Sequence, residues 1–303
     1  MRVVLINTRS YWRKIGCGED EIDLKEKLSS MSFVGFLLFF SIALGSANYF
    51  EAANFVQVFC MRRMFGALIN AILMVCAFLV DVYGQPPPIP NSDIFHVTKI
   101  IGPFSFFTKQ AITIQTTHSL LSFLAEASLG TKWPLFALLE AVHETATPVA
   151  VIGISLTLLF LRLNWFESNW RKEALYPWLR RGVPLGTIAL VGHLLSFPVA
   201  FFDVLFVKRP ITMTQLTNRN VATILLIDAR RSAFFLFLYN YFFVGFTLLN
   251  AKFNGGYFPY PFMRAFDTSK KWFLFSLVIL IFTTLFVMPI VLVIKFLSTR
   301  MSQ

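Results

Sequence analysis

Charge is scarce in this chain of 303 residues. Only 14% of its positions are Asp, Glu, Lys or Arg, against about a quarter in an ordinary soluble domain. Cysteine is scarcer still: Cys17, Cys60 and Cys76 form no framework and no CxxC pair, so a disulfide scaffold is excluded. Cys76 stands in an apolar run and reads as an inert core residue. There is no glycine-rich phosphate loop, no internal repeat and no separate soluble domain. What fills the space is apolar: 56% of residues are hydrophobic, and 36 are phenylalanine. One soluble domain of this size cannot hide that much apolar side chain, so lipid is the solvent for most of the chain. Disorder, collagen and a nucleic-acid domain are excluded by the same numbers.

The net charge is +11. Its basic residues cluster between apolar runs, where they set topology and meet anionic headgroups rather than nucleic acid. A bilayer core of about 30 Å needs about 20 apolar residues in a helix. Seven stretches reach or approach that length: residues 32–50, 65–83, 103–129, 134–163, 184–207, 221–250 and 272–297. The expected fold is therefore all-α, a multi-pass transmembrane helical bundle of about seven spans. Prolines open the third, fourth and fifth spans, where a missing N–H does no harm. The sixth is longer than one span and carries Asp228, Arg230 and Arg231; residues 221–231 read as an interfacial turn or a continuation beyond the lipid. Residues 84–91 (GQPPPIPN) form a polyproline-like connector, and residues 254–261 (NGGYFPYP) a rigid aromatic turn. The chain divides into a polar basic segment (1–31), a first span with its loop (32–61), a main helical domain (62–297) and a tail (298–303).

Loops on the amino-terminal side of seven such spans hold 15 Lys and Arg, and those on the other side hold 7. This places the amino terminus inside. Residues 1–16 carry four basic residues and no acid, a pattern shared by mitochondrial presequences and by amphipathic surface segments.

An ionisable group within a span is costly and is a functional candidate by default. The candidates are His118 and Glu126 in the third span, Glu140, His143 and Glu144 in the fourth, and His193 and Asp203 in the fifth. Glu140-x-x-His143 has the spacing of a di-iron half-motif. A second such pair is lacking and the chain has only four histidines, so no metal or other cofactor is expected. Counted from the prolines that open their spans, His193 lies about 13 Å and Thr108 about 7 Å below the helix start. Spans two crossings apart enter from the same face, so Thr108 and His193 can approach in one leaflet. Asp203 and His118 are each about 15 Å further along and belong elsewhere. Glu144 enters from the opposite face and could reach the level of His193. By itself, Thr108 reads as a threonine bonded to the carbonyl of the preceding turn.

Its surroundings add a resemblance. Phe-Phe-Thr108 followed by Gln115 resembles the segment of the androgen-induced-gene-1 family that carries a threonine nucleophile. Thr147-Pro148-Val149, a long apolar run and Tyr176-Pro177 are similar to that family's Phe-Pro-Val span and following Tyr-Pro. His193 with Pro198 resembles its catalytic histidine and downstream proline. Residues 256–262 (GYFPYPF) resemble its Tyr-Pro-Phe turn. The four pieces stand in family order over residues 62–297; the family has about six spans, so one amino-terminal span is extra. The resemblance implies a membrane threonine hydrolase of fatty acid esters of hydroxy fatty acids, with Thr108 as nucleophile and His193 as general base. Gln115, Lys109, Glu144 and His143 are supporting candidates, with Lys109 either snorkelling to the interface or meeting a substrate carboxylate. Expected partners are membrane lipids and an apolar ester, in the endoplasmic reticulum or another endomembrane. The competing reading is a non-catalytic helical subunit of a larger membrane complex, such as one in the mitochondrial inner membrane. A transporter using the acidic residues as a proton path lacks repeat symmetry and paired broken helices.

Overall fold

The computed structural model describes residues 55–82, 93–100, 102–166, 193–207 and 221–300. Among them the fold is all-α, with no strand. The elements in chain order are α1 (Phe55–Val82), α2 (Asp93–Thr98), α3 (Phe107–Ser128), α4 (Phe136–Phe166), α5 (Ser196–Phe202), α6 (Val221–Phe253), α7 (Ser269–Ile281) and α8 (Met288–Arg300). A 3₁₀ turn, Gly102–Ser105, leads into α3, and another, Pro261–Ala265, lies between α6 and α7. Four helical stretches are long and apolar enough to cross a membrane: Arg63–Asp81, Phe136–Leu163, Ala222–Phe253 and Ser269–Leu297. Ser196–Leu205 is a shorter apolar helix. The chain is a membrane protein built as a helical bundle. The expected first span (32–50), the 84–91 connector, the basic segment 1–16 and Tyr176-Pro177 lie outside the described residues.

Side-chain contacts fix the directions. Arg63 meets Glu126 and Asp81 meets Lys109, so α1 and α3 are antiparallel. Glu126 meets His143, while Gln115 abuts Gly153, so α4 returns antiparallel to α3. Gln115 touches Ser196 and His118 faces Asp203, so α5 again runs with α3. Asp228 and Lys295 meet near one end of α6 and α8, and Asn240 bonds Ser276 nearer the other. The bundle thus has an end marked by Thr108 and an end marked by Arg63.

Polarity is inverted relative to a soluble protein. α3 is the most polar of the long helices and lies inside, burying Thr108, Lys109, Gln115, Thr116, His118, Ser119, Ser122 and Glu126. Phe234, Phe242, Phe273, Leu285 and Phe286 point outward. In lipid no hydrophobic penalty attaches to that outer surface, whereas each polar group needs a protein partner. This explains why α3, expected as a span, is not among the four most apolar stretches: its neighbours shield it.

Prolines are accommodated locally. Pro289 cannot donate to the carbonyl four residues back, and the wider π turn Phe282–Val287 precedes it, with Thr283 and Thr284 bonding the carbonyls of Ile279 and Leu280. Of the two readings of residues 221–231, the turn is set aside and the continuation stands: they are continuous helix in α6, because nothing there breaks it and Asp228 finds partners inside. One expectation is corrected. Cys76 is exposed on the outer face of α1 rather than in the core.

Candidate functional site

The Thr108 end is organised by the start of α3. Thr108 is the second residue of that helix, whose N-cap position, Phe106, supplies no side-chain cap. A threonine there would ordinarily donate to the carbonyl four residues back. Thr113, Thr145, Thr283 and Thr284 all do so in this protein. Thr108 does not. The corresponding carbonyl, that of Phe104, accepts instead from Gln110 Nε2 at 2.9 Å, and Gln110 Oε1 accepts from the Tyr239 hydroxyl at 3.3 Å. Tyr260, fully buried, packs edge-on to Phe106 just before this helix.

Tyr260 comes from the connection between α6 and α7. Gly255 and Gly256 adopt φ of +86° and +89°, a region where other side chains are strained. Asn254 brackets the turn, accepting from the Tyr257 amide at 3.0 Å and donating to its carbonyl at 3.1 Å. His96 stacks on Tyr257, and Tyr260 packs edge-on to Phe106 and flat on Phe262. Burial pushes the Tyr260 phenol up to about 12, against the pull of Thr108 and the adjacent backbone, while the nearby Asp81 carboxylate pushes it further up. The phenol is therefore protonated at neutral pH.

Lys109 plays neither of its expected parts. It is buried, so it does not snorkel, and its Nζ lies 2.6 Å from Asp81 Oδ1 while also donating to the Asp81 carbonyl. Asp81 neutralises the charge that a substrate carboxylate would need. Asp81 is the buried partner of Lys109, and it was not among the ionisable candidates of the spans. A lone acid closing an apolar run was the signal for it.

His193 is buried, with its ring stacked on Phe160 at 4.1 Å between centroids and its carbonyl accepting from Thr157 Oγ1 at 2.8 Å. Phe160 and Thr157 lie beyond Gly153 on α4, toward the same end of the bundle as Thr108. Among the described residues no hydrogen bond joins Thr108 to His193, whose backbone carbonyl bonds Thr157. Gln115, one further layer in, donates to the Ser196 carbonyl at 3.3 Å. Its Oε1 is buried without a hydrogen-bond partner.

The other candidates gather toward the Arg63 end. Arg63 donates to Glu126 Oε1 at 2.6 Å and to His143 Nε2 at 2.8 Å. A guanidinium beside His143 Nε2 opposes a metal ion there, and Glu140 is exposed. Among the described residues no group of three or more His, Cys, Asp or Glu is placed to hold a metal. His118 Nε2 lies 2.9 Å from the Val142 carbonyl, while its Nδ1 faces Asp203 at 4.0 Å; Asn70 donates to Asp203 at 3.1 Å. Asp228 accepts from Lys295 at 2.6 Å and from Thr147 at 2.8 Å. Glu144 pairs with Arg231 at an exposed position and does not approach His193. Helix direction explains this: Glu144 precedes Phe160 by four turns of α4.

No family model, no curated protein and no solved structure matches this chain.

Proposed function

We propose that the chain is an integral-membrane ester hydrolase with Thr108 as nucleophile and His193 as general base. Its substrates are fatty acid esters of hydroxy fatty acids, and its location is the endoplasmic reticulum or another endomembrane. The observation that carries the reading is the state of the Thr108 hydroxyl. It does not make the back-bond that four other helical threonines make; Thr108 stands at the helix start, and the carbonyl four residues back, in the preceding 3₁₀ turn, accepts from Gln110. A threonine whose proton is not spent on its own helix can give it to a base. His193, buried toward the same end, is the residue type whose pKa suits that transfer.

In this reaction Thr108 Oγ1 bonds to the ester carbonyl carbon as its proton passes to the His193 ring. Collapse of the tetrahedral intermediate breaks the ester C–O bond, and the histidine proton goes to the departing hydroxy fatty acid. Water, deprotonated by the same ring, then releases the fatty acid and restores Thr108. The apolar outer surface suits a substrate that arrives through the bilayer.

The test is Thr108→Ala in the full-length protein in detergent or nanodiscs. Labelling by an alkyl fluorophosphonate and ester hydrolysis are both expected to vanish. Undiminished hydrolysis by that variant removes Thr108 as nucleophile. The second reading, a non-catalytic helical subunit of a mitochondrial inner-membrane or other complex, draws on the burial of Thr108. Stoichiometric co-purification with other membrane proteins, together with no probe labelling of the native protein, selects it.

A further inference from the structure

We propose that His143 is a proton-binding site, and that the proton it takes releases Arg63 from α4. The site lies at the Arg63 end of the bundle, away from Thr108, and stands apart from the hydrolase reading.

Three atoms form a closed triangle there. Arg63 Nη2 lies 2.6 Å from Glu126 Oε1 and 2.8 Å from His143 Nε2, and Nε2 lies 3.2 Å from the same Oε1. The three side chains are buried and come from α1, α3 and α4. Each edge needs a hydrogen along it. The guanidinium nitrogen carries two, one for the carboxylate and one for the imidazole, and it cannot accept. The third edge, from His143 to Glu126, is filled only by a proton on Nε2. That proton takes the lone pair to which Arg63 donates, so N–H would then face N–H. Either state of Nε2 therefore satisfies two edges and breaks the third. The Arg63 contact is the shorter of the two at Nε2, which is the arrangement of the bare nitrogen.

Charge sets what a proton does next. With Nε2 bare, Arg63 and Glu126 cancel each other. A proton from water adds one buried positive charge, and two cations then compete for one carboxylate, which is costly away from solvent. His143 cannot leave, because it sits about 10 Å inside the span Phe136–Leu163. Arg63 can: it opens the span Arg63–Asp81, and its long stem lets the head group reach the interface. Glu126 Oε2, buried and without a hydrogen-bond partner, is a further acceptor for the imidazolium. The two-state element is thus the Arg63 side chain, docked on α4 or turned out to the interface.

Arg63 from α1 and Glu126 from α3 are the charged groups that face this ring. Charged and titratable groups on the other elements packed against α4 are engaged elsewhere. His118 of α3 faces Asp203 after α5, Asp228 of α6 pairs with Lys295 of α8, and Arg231 of α6 pairs with Glu144. Glu140 is exposed.

The test is nitrogen NMR of the full-length protein in detergent, labelled with ¹⁵N-histidine. Spectra run from about pH 8 to about pH 5, the range in which histidine changes charge. His143→Gln identifies the His143 signal by its loss. Nε2 is expected to read as a bare nitrogen at the upper end and a protonated one at the lower. Nε2 protonated throughout, as a fixed donor to Glu126, overturns the proposal, and so does Nε2 bare throughout. Arg63→Gln tests the link to Arg63. Removing the competing cation is expected to move the midpoint up by about one pH unit or more, a tenfold gain in proton affinity. An unmoved midpoint overturns the release of Arg63. Should that variant misassemble, Glu126→Gln removes the counter-charge instead and is expected to move the midpoint down by a similar amount; an unmoved midpoint there also overturns the proposal. Thr108→Ala is expected to leave the His143 titration unchanged, so this site and the hydrolase reading stand or fall separately.

Discussion

Lys109 Nζ and Asp81 Oδ1 lie 2.6 Å apart, both side chains buried, one residue from the proposed nucleophile. Breaking such a pair strands a charge, which costs about 3–5 kcal/mol. Asp81→Asn is therefore expected to lower thermal stability in detergent by that order. Asp81→Leu combined with Lys109→Met restores most of it, because no charge is left buried. A single Asp81→Asn variant as stable as wild type would falsify the burial of an uncompensated ammonium.

Gly153 touches Gln115 so closely that a β-carbon at 153 would overlap the Gln115 amide. Gly153→Ala is expected to destabilise by about 1–3 kcal/mol, the range for overpacking a close-fitted core. Shortening the neighbour with Gln115→Ala should recover much of the loss in the double variant, a coupling that a thermodynamic cycle reads directly. Purely additive effects would mean that the two residues do not share this space.

The buried Tyr260 phenol predicts an alkaline stability window. Its folded-state pKa of about 12 lies above the ordinary value of 10.0. A raised value favours the protonated, folded form, so its contribution is complete below about 10 and is lost as pH climbs toward about 12. Melting temperatures of wild type and Tyr260→Phe, compared across that range, are expected to converge as the wild type loses this advantage. Parallel curves would contradict the shift.

Thr113 and Thr108 differ by one helical turn and a half but are expected to behave oppositely on substitution. Thr113 donates to the Lys109 carbonyl at 2.7 Å, so Thr113→Val removes only a local bond, worth about 1 kcal/mol, and leaves labelling intact. Thr108→Val should lose labelling. Equal labelling by the two variants would count against any special role for position 108.

The directions of the helices place Lys132 and Lys270 at opposite ends of the bundle. With the native cysteines removed, Lys132→Cys and Lys270→Cys are expected to react with a membrane-impermeant maleimide from opposite sides. The basic loops assign position 270 to the inside. Reaction of both from one side would contradict the bundle topology.

Composition alone was enough for the class of molecule. Scarce charge, abundant phenylalanine and long apolar runs require lipid and helices, because a backbone in hydrocarbon must satisfy its own hydrogen bonds. The 254–261 turn was legible for a similar reason, since adjacent glycines and prolines restrict local backbone choices whatever lies nearby. Pairings were not legible. Asp203 bonds Asn70 and faces His118, Glu126 bonds Arg63, and Asp228 takes Lys295. In each case the groups are far apart in sequence, and only helix direction and rotation select the partner. A linear pattern records which side chains are costly in a membrane; the packed bundle decides which neighbour offsets each cost.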